Sequence, residues 1–248
     1  MKHSIATVVP ARLGSKRVKV KNLRMLNGKP LIEYILNTLK QTEYLNNIYI
    51  NSESDYFKKI ARRYNVKFYK RDPKLATSQS LIDDYIYDFI KKVNPEYLAV
   101  VNPTSPFITS KELDNAWLYF NNNNYDTLLS CEKIQTHCFI KGKPINFNIR
   151  GKHPRSQDIE PVRALNFAVT IWNSKSYVNN YEKNAYGVYT GNLGFYDIEG
   201  MGSIDIDYED DFMLAEFISR HIASGKKYSA EYSDVISDLI ENNIDTRT

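Results

Sequence analysis

The apolar positions fall first into a short unbroken run, Ile5-Ala6-Thr7-Val8-Val9, which ends at Pro10 and reads as a buried strand. Leu31, Ile35, Leu36 and Leu39 then recur at helical spacing, with Pro30 tolerated at the first turn, and predict a crossover helix over 31–39. The same alternation continues with Ile48-Tyr49-Ile50 as a strand, a helix over 55–64, and Val66-Lys67-Phe68-Tyr69 as another strand. A helix over 81–93, a buried strand over 97–101 and a helix over 110–120, with Ser110 as its cap, complete the regular part. Strands that alternate with helices in this way specify a mostly parallel sheet with helices on both faces, joined by right-handed crossovers. The expected fold class is therefore α/β, a three-layer α/β/α sandwich of Rossmann-like type.

Past Asp126 the periodicity weakens. Strand-like pieces remain at 127–131 and 167–172, but 146–161 contains two prolines and little apolar repetition, so about 130–185 reads as an inserted arm. One main domain is expected over 1–222, followed by an extension over 223–248 in which Val235-Ile236 and Leu239-Ile240 stand at helical spacing. The 248 residues, 42% of them hydrophobic, are enough for a single large core.

Composition narrows the function classes. A net charge of +4 is mild and its basic residues are spread out, so nucleic acid is not called for as a partner; a small anionic substrate suits the balance. Cys131 and Cys138 lack the paired spacing of a zinc site, and His3, His137, His153 and His221 are scattered, which argues against a structural metal or a disulfide framework. The adjacent His137 and Cys138 read as part of a half-buried strand, with no catalytic role. The first strand begins too early to leave room for a leader, and no apolar stretch is long enough to span a bilayer, so the expected location is cytoplasmic, with no membrane partner.

The candidate chemistry starts where the first strand ends. Pro10 through Asn22 carries one hydroxyl, Ser15, and five cations, Arg12, Lys16, Arg17, Lys19 and Lys21. Neither phosphate-loop spacing, Gly-x-x-x-x-Gly-Lys-Ser/Thr nor Gly-x-Gly-x-x-Gly, is present, so side chains must do most of the anion binding. A charge run is usually just a solvated loop. This one follows a buried strand at the sheet edge where ligands of open α/β folds bind, which favours a polyphosphate site. Far downstream, Asp205 and Asp207 flank Ile206; on a strand both carboxylates would leave one face, and such an oxygen pair suits Mg²⁺ better than it suits a merely solvated surface.

These segments resemble a family. Pro10-Ala11-Arg12-x-Gly14-Ser15-Lys16, then Lys21-Asn22 and Asn27-Gly28-Lys29-Pro30-Leu31-Ile32, are similar to the N-terminal signature of the cytidylyltransferases that activate acidic sugars, the CMP-sialic acid synthetase family. Ser203-Ile204-Asp205-Ile206-Asp207, with Asp211-Phe212 and Leu214-Ala215-Glu216, resembles that family's metal-binding strand and following helix. The resemblance implies a nucleotidyltransferase fold, akin to the glycosyltransferase-A type, with a dimerisation arm. It also implies CTP and an acidic sugar as substrates, Mg²⁺ at Asp205 and Asp207, and a homodimer whose partner reaches the active site.

Residue by residue, it implies nucleotide contacts at Ala11, Arg12, Gly14, Ser15, Lys21 and Asn22, with Arg12, Lys21, Asp205 and Asp207 as the catalytic set. Arg71-Asp72-Pro73-x-Leu75-Ala76 resembles the segment that meets cytosine and ribose, adding Arg71 and Ser80, although Ser78 stands where an Asp is common. Asn102-Pro103-Thr104-Ser105-Pro106 resembles a Gln-Pro-Thr-Ser-Pro segment, which adds Pro103 to the nucleotide contacts and places Asn102 at the acceptor sugar in a shortened form; Ile108 replaces an Arg. Arg155-Ser156-Gln157-Asp158 and Asn166-x-Ala168 match further acceptor segments and add Arg155, Gln157 and Asn166. There Ala164 falls at the acceptor arginine and Phe167 at a glycine, so either Arg163 takes over the carboxylate or a different acid is used. The acceptor stays open between a sialic acid-like nonulosonic acid and Kdo or another unusual acid. A nucleotide-sugar glycosyltransferase, which would leave the N-terminal cations unexplained, and a non-catalytic nucleotide-binding module are the more distant readings.

Overall fold

The computed structural model describes residues 4–233. In chain order its elements are β1 (Ile5–Pro10), β2 (Met25–Leu26), β3 (Lys29–Pro30), α1 (Leu31–Leu39), β4 (Ile48–Ser52), α2 (Asp55–Tyr64), β5 (Lys67–Lys70), α3 (Ile82–Val93) and β6 (Tyr97–Val101). They continue with α4 (Ser110–Asn122), β7 (Thr127–Ile134), β8 (Phe139–Ile140), β9 (Lys143–Pro144), β10 (Val162–Asn173), α5 (Ser174–Asn184), β11 (Leu193–Asp197) and α6 (Glu209–Ser224).

Seven strands form one sheet in the order β11-β7-β10-β6-β1-β4-β5. β1 pairs in parallel with β4 on one side and with β6 on the other, and β10 alone runs antiparallel, to β6 and to β7. The expected three layers are present. Ile32, Ile35, Leu36 and Leu39 of α1 pack with Phe57 of α2 and Trp117 and Phe120 of α4 on one face, while Ile86, Phe89 and Ile90 of α3 meet Tyr177 of α5 on the other. Burying β1 on both faces explains why its sequence reads as a continuous apolar run rather than an alternation.

A third, smaller cluster sits at the sheet's carboxyl edge. Val18 from the cationic loop packs with Leu26, Leu31, Ile206, Phe212 and Ala215, which seats α6 and the segment before it against the loop that follows β1. The short β2–β3 ribbon belongs to this seat, since Asn27 donates its backbone N–H to Glu216 at 2.7 Å.

Several expectations are corrected. Asp205 and Asp207 are not on a strand: residues 204–207 join no ladder, because no partner strand lies beside them, and they are pinned by the Ile206 N–H to Thr104 O at 2.8 Å. Ile206 is still fully buried between the two carboxylates, so the alternation inferred from sequence survives without a sheet. The cap of α4 is Thr109, not Ser110; Thr109 and Glu112 form a reciprocal capping box, and Ser110 is the first helical residue. The extension placed at 223 begins inside α6, which ends at Ser224 with Gly225 in a left-handed cap, and its amphipathic stretch from Val235 lies outside the described residues. No helix among the described residues is long and apolar enough to cross a membrane.

Ile35 lies fully buried in the larger cluster. Ile35→Ala should therefore lower the unfolding free energy by about 2–5 kcal/mol, read as a lower urea midpoint at an unchanged slope.

Candidate functional site

The carboxyl ends of β1, β5 and β6 surround a cleft of about 320 Å³. Because β4 and β6 flank β1 on opposite sides, the chain reverses its order across the sheet here, and a crevice opens at that point. Residues after β1 supply Ala11, Arg12, Ser15, Lys16, Arg17, Val18, Lys21 and Asn22; the turn after β5 supplies Arg71 and Ser80; the end of β6 supplies Asn102, Pro103 and Thr104. The structure thus gathers every expected nucleotide residue except Gly14, which is exposed and outside the lining.

Five cations line this cleft, Arg12, Lys16, Arg17, Lys21 and Arg71. Like charges at such density repel, and the carboxylates that offset them come from the far end of the chain. Lys21 donates to the backbone carbonyl of Ile206 and lies 3.3 Å from Asp207 Oδ1, while Arg17 reaches the same oxygen at 2.7 Å and stands over the Tyr208 ring. Lys21 is largely covered, its side chain 12% exposed, whereas Arg17 remains half exposed. An ammonium has three donors, so with these contacts made Lys21 can still turn a proton toward a phosphate oxygen. Val20 before it adopts φ +49°, a left-handed conformation that a β-branched residue takes only when its surroundings enforce it, and the short helical turn at Lys21–Leu23 follows directly.

Arg12 donates to Thr77 O at 2.7 Å and so ties the cationic loop to the turn after β5. In that turn the Ser80 hydroxyl is engaged locally: it donates to Lys74 O at 2.9 Å and accepts from the Thr77 N–H at 3.0 Å. Its part in the cleft is to shape the turn. Arg71 is only 4% exposed. Its Nε donates to Asn51 Oδ1 at 2.7 Å and its Nη2 to Asn51 O at 3.0 Å, and burial lowers its affinity for its proton.

Asp205 is held above the usual carboxylate range, first by burial and then by the charge of Asp207, against a hydrogen bond from Thr104 and the attraction of Lys21. Two carboxylates this close, one of them largely removed from water, are a hard-oxygen pair whose repulsion a divalent cation relieves. The donor set fits Mg²⁺. Among the described residues no group of three or more His, Cys, Asp or Glu side chains is placed to hold a metal, so phosphate and water oxygens would have to complete the shell.

The acceptor residues are not brought together in the same way. Asn102 lines the cleft and donates through Nδ2 to Phe167 O at 2.7 Å, which leaves its Oδ1 as an acceptor. Asn166 accepts from Ser130 Oγ at 2.6 Å and from the Ala168 N–H at 3.2 Å, and its Nδ2 is buried with no hydrogen-bond partner among the described residues. Phe167 takes φ +52° where the ladder between β7 and β10 slips, so the position that is glycine in the resembled segment keeps a left-handed backbone here without one. Arg155 pairs with Asp158 on the surface at 2.7 Å, and Gln157 is exposed nearby; neither lines the cleft. Arg163 is paired with Asp197, at 2.9 and 3.3 Å, rather than turned into the cleft.

Of the residues lining the cleft, Arg17 and Thr104 stand in segments that the sequence singles out without giving them a role of their own, and Thr77 and Tyr85 lie outside those segments. Arg17 lay within the recognised charge run. Tyr85 carried one signal, a polar-tipped aromatic three residues after Ile82 on a face that is otherwise apolar. Thr77 acts through its backbone oxygen, for which a sequence gives no sign.

The sequence model of the family described as cytidylyltransferase matches residues 6–215. The chain is 27% identical over 216 residues to the N-acylneuraminate cytidylyltransferase of Streptococcus agalactiae serotype III (strain NEM316), covering 83% of this chain and 51% of that one. It is 29% identical over 225 residues to the enzyme of the same name from Escherichia coli O18:K1:H7, covering 87% and 52%. The chain thus spans about half the length of these curated relatives. It is 25% identical to the post-translational flagellin modification protein B of Campylobacter coli, over 86% of this chain and 94% of that one. Among solved structures, CMP:2-keto-3-deoxy-manno-octonic acid synthetase complexed with CTP superposes with a TM-score of 0.66 at 13% identity, over 88% of this chain and 99% of the other, and shares the fold.

The Asp197 cluster yields a test of this side of the sheet. Burial raises its carboxyl, but hydrogen bonds from Arg163, Lys133 and Cys131 outweigh burial and hold it at about 2. With the unfolded value near ~3.9, this pair stabilises the fold fully above about pH 4 and loses that contribution as pH falls toward 2, an effect of about 2 kcal/mol. Asp197→Asn should flatten the fall of melting temperature with pH across that window and leave the slope between pH 5 and 7 unchanged.

Proposed function

The chain belongs to the cytidylyltransferase family, and on that premise we propose that it transfers CMP from CTP to the anomeric hydroxyl of an acidic 2-keto-3-deoxy sugar, a sialic acid-like nonulosonic acid, releasing pyrophosphate. The observation that carries this reading is the meeting, at the sheet's switch point, of four cations that line the cleft after β1 with Asp207, which stands at the cleft's border against Lys21 and Arg17, while Asp205 lies two residues before it.

The anomeric oxygen attacks the α-phosphorus, the bond to the bridging oxygen of the β-phosphate breaks, and the hydroxyl proton passes to solvent. Such transfers depend on positioning and on stabilising charge more than on covalent chemistry, so no dedicated general base is assigned. Arg12 presents a planar fork to phosphate oxygens, and Lys21 a compact charge that its bond to Ile206 O aims across the cleft. Ser15 adds a hydroxyl donor at the same wall. Asp205 and Asp207 would hold Mg²⁺, whose charge would offset that of the triphosphate and of the departing pyrophosphate. Asn22, 7% exposed, lines the same cleft and would contact ribose or phosphate.

For the acceptor, Asn102 Oδ1 offers a hydroxyl contact, and Arg163 is committed to Asp197. That commitment favours an acid held differently from an ordinary sialic acid, with Kdo and other unusual acids as the second reading. A homodimer is part of the proposal: around the β8–β9 ribbon Phe139, Ile140, Ile145 and Ile149 are all more than half exposed, an apolar patch that a second copy would cover. Cytoplasmic CTP is the donor this site is built for.

Pyrophosphate release with CTP and Mg²⁺, measured over nine-carbon and eight-carbon ulosonic acids with ATP, GTP and UTP as controls, should respond to CTP and one acid. Silence across the panel with CTP bound would place the acceptor outside the ulosonic acids. Asp207→Asn should cut Mg²⁺-dependent release by about 10²-fold or more while the melting temperature holds; undiminished release would refute the metal role.

A further inference from the structure

The geometry points to Tyr85 as a positioning residue that holds Arg71 ready to read the base of the nucleotide. This rests on the reading of the cleft as a CTP site and goes beyond it in naming what fixes the base-reading group.

Among the described residues no carboxylate is hydrogen-bonded to the buried guanidinium of Arg71, and Glu53 acts on it through its charge alone, an arrangement that costs stability unless other groups take over. Two groups do. Asn51, itself fully buried, accepts from Nε through its side chain and from Nη2 through its backbone, which fixes one edge of the guanidinium plane. The ring of Tyr85, projecting from the first turn of α3, lies 4.1 Å from the guanidinium carbon and covers one face. Burial also holds the Tyr85 hydroxyl above its usual range, so the ring stays neutral beside the cation. With one edge and one face fixed, Nη1 is left as a rigid donor without a partner among the described residues, in a group that lines the cleft.

A preset donor of this kind discriminates between pyrimidines. Cytosine presents O2 and N3 side by side as acceptors, whereas uracil carries a proton on N3 and would meet the guanidinium with donor against donor. A site whose donor cannot rotate away rejects the wrong base more strongly than one that can adapt, because the unpaired groups stay buried. The π face of Tyr85 supplies the rigidity and offsets the missing carboxylate; a desolvated cation–π contact is strong enough to do so. An aspartate in place of the ring would hold Arg71 as well but would neutralise the charge that favours an acceptor.

The test is equilibrium binding of CTP, UTP and inorganic pyrophosphate to the full chain and to Tyr85→Phe, Tyr85→Leu and Tyr85→Met. The expected result is a CTP preference over UTP in the wild type and in Tyr85→Phe. In Tyr85→Leu and Tyr85→Met that preference should fall roughly tenfold, with pyrophosphate affinity unchanged as evidence that the fold and phosphate subsite are intact. Tyr85→Met also lacks a π face, fills irregular space more adaptably than leucine, and serves if Tyr85→Leu does not fold. Leu and Met variants that keep the wild-type ratio would overturn the positioning role alone. A wild type that binds CTP and UTP alike would overturn the base-reading beneath it, and the proposal with it.

Discussion

Mutual repulsion among the cations at the end of β1 is the constraint around which the rest of the molecule is arranged. Four positive side chains within a few residues would splay outward in an isolated loop. Here the loop is folded inward because Val18 is buried against Ile206 and Phe212, and because Asp207 meets both Arg17 and Lys21 across 186 residues or more of sequence. The parallel sheet supplies the edge on which this takes place, and α6 supplies the weight behind residues 204–207. Ion pairs as exposed as Arg17 with Asp207 contribute little by themselves. The buried apolar contacts beneath them decide where the charges sit.

The same division of labour runs around the cleft. Backbone and apolar groups fix position, and charged tips are left to meet the ligand. Arg12 is located by a backbone carbonyl, Lys21 by another, and Arg71 by an amide and a carbonyl of Asn51. Arg12 and Arg71 have no carboxylate bonded to them among the described residues, and Lys21 shares one oxygen of Asp207 with Arg17. Arg163 does the reverse: its fork is spent on Asp197; beside them burial, and then the bond to Asp197, push the Cys131 thiol up to about 12 and so leave that cysteine inert.

What the sequence disclosed follows from range. Arg12, Ser15, Lys21 and Asn22 were legible because one short stretch after a strand carries them, and strand ends are where such folds bind ligands. Asp205 and Asp207 were legible as a pair, yet their strand was not there, since alternation alone does not provide a neighbour to bond with. β11 and α5 went unread: the former is a five-residue edge strand, and the latter, Ser-Lys-Ser-Tyr-Val-Asn-Asn-Tyr-Glu-Lys-Asn, buries only Ser174 and Tyr177. The grip of Tyr85 and Asn51 on Arg71 depends on three separate elements and had no local signature. The acceptor side was the least legible, because its residues lie near a slipped ladder whose geometry no spacing rule describes.

That slipped ladder separates two kinds of change. β10 is the one antiparallel strand of the main sheet, and the excursion between β7 and β10, which carries β8 and β9, leaves and rejoins it on neighbouring strands. Its length and sequence can therefore drift without altering the register of β1, β4 and β6, where the nucleotide residues are anchored. Substitutions and insertions there can accumulate over evolutionary time while the residues around the cleft keep their places; the fold separates what must be kept from what is free to vary.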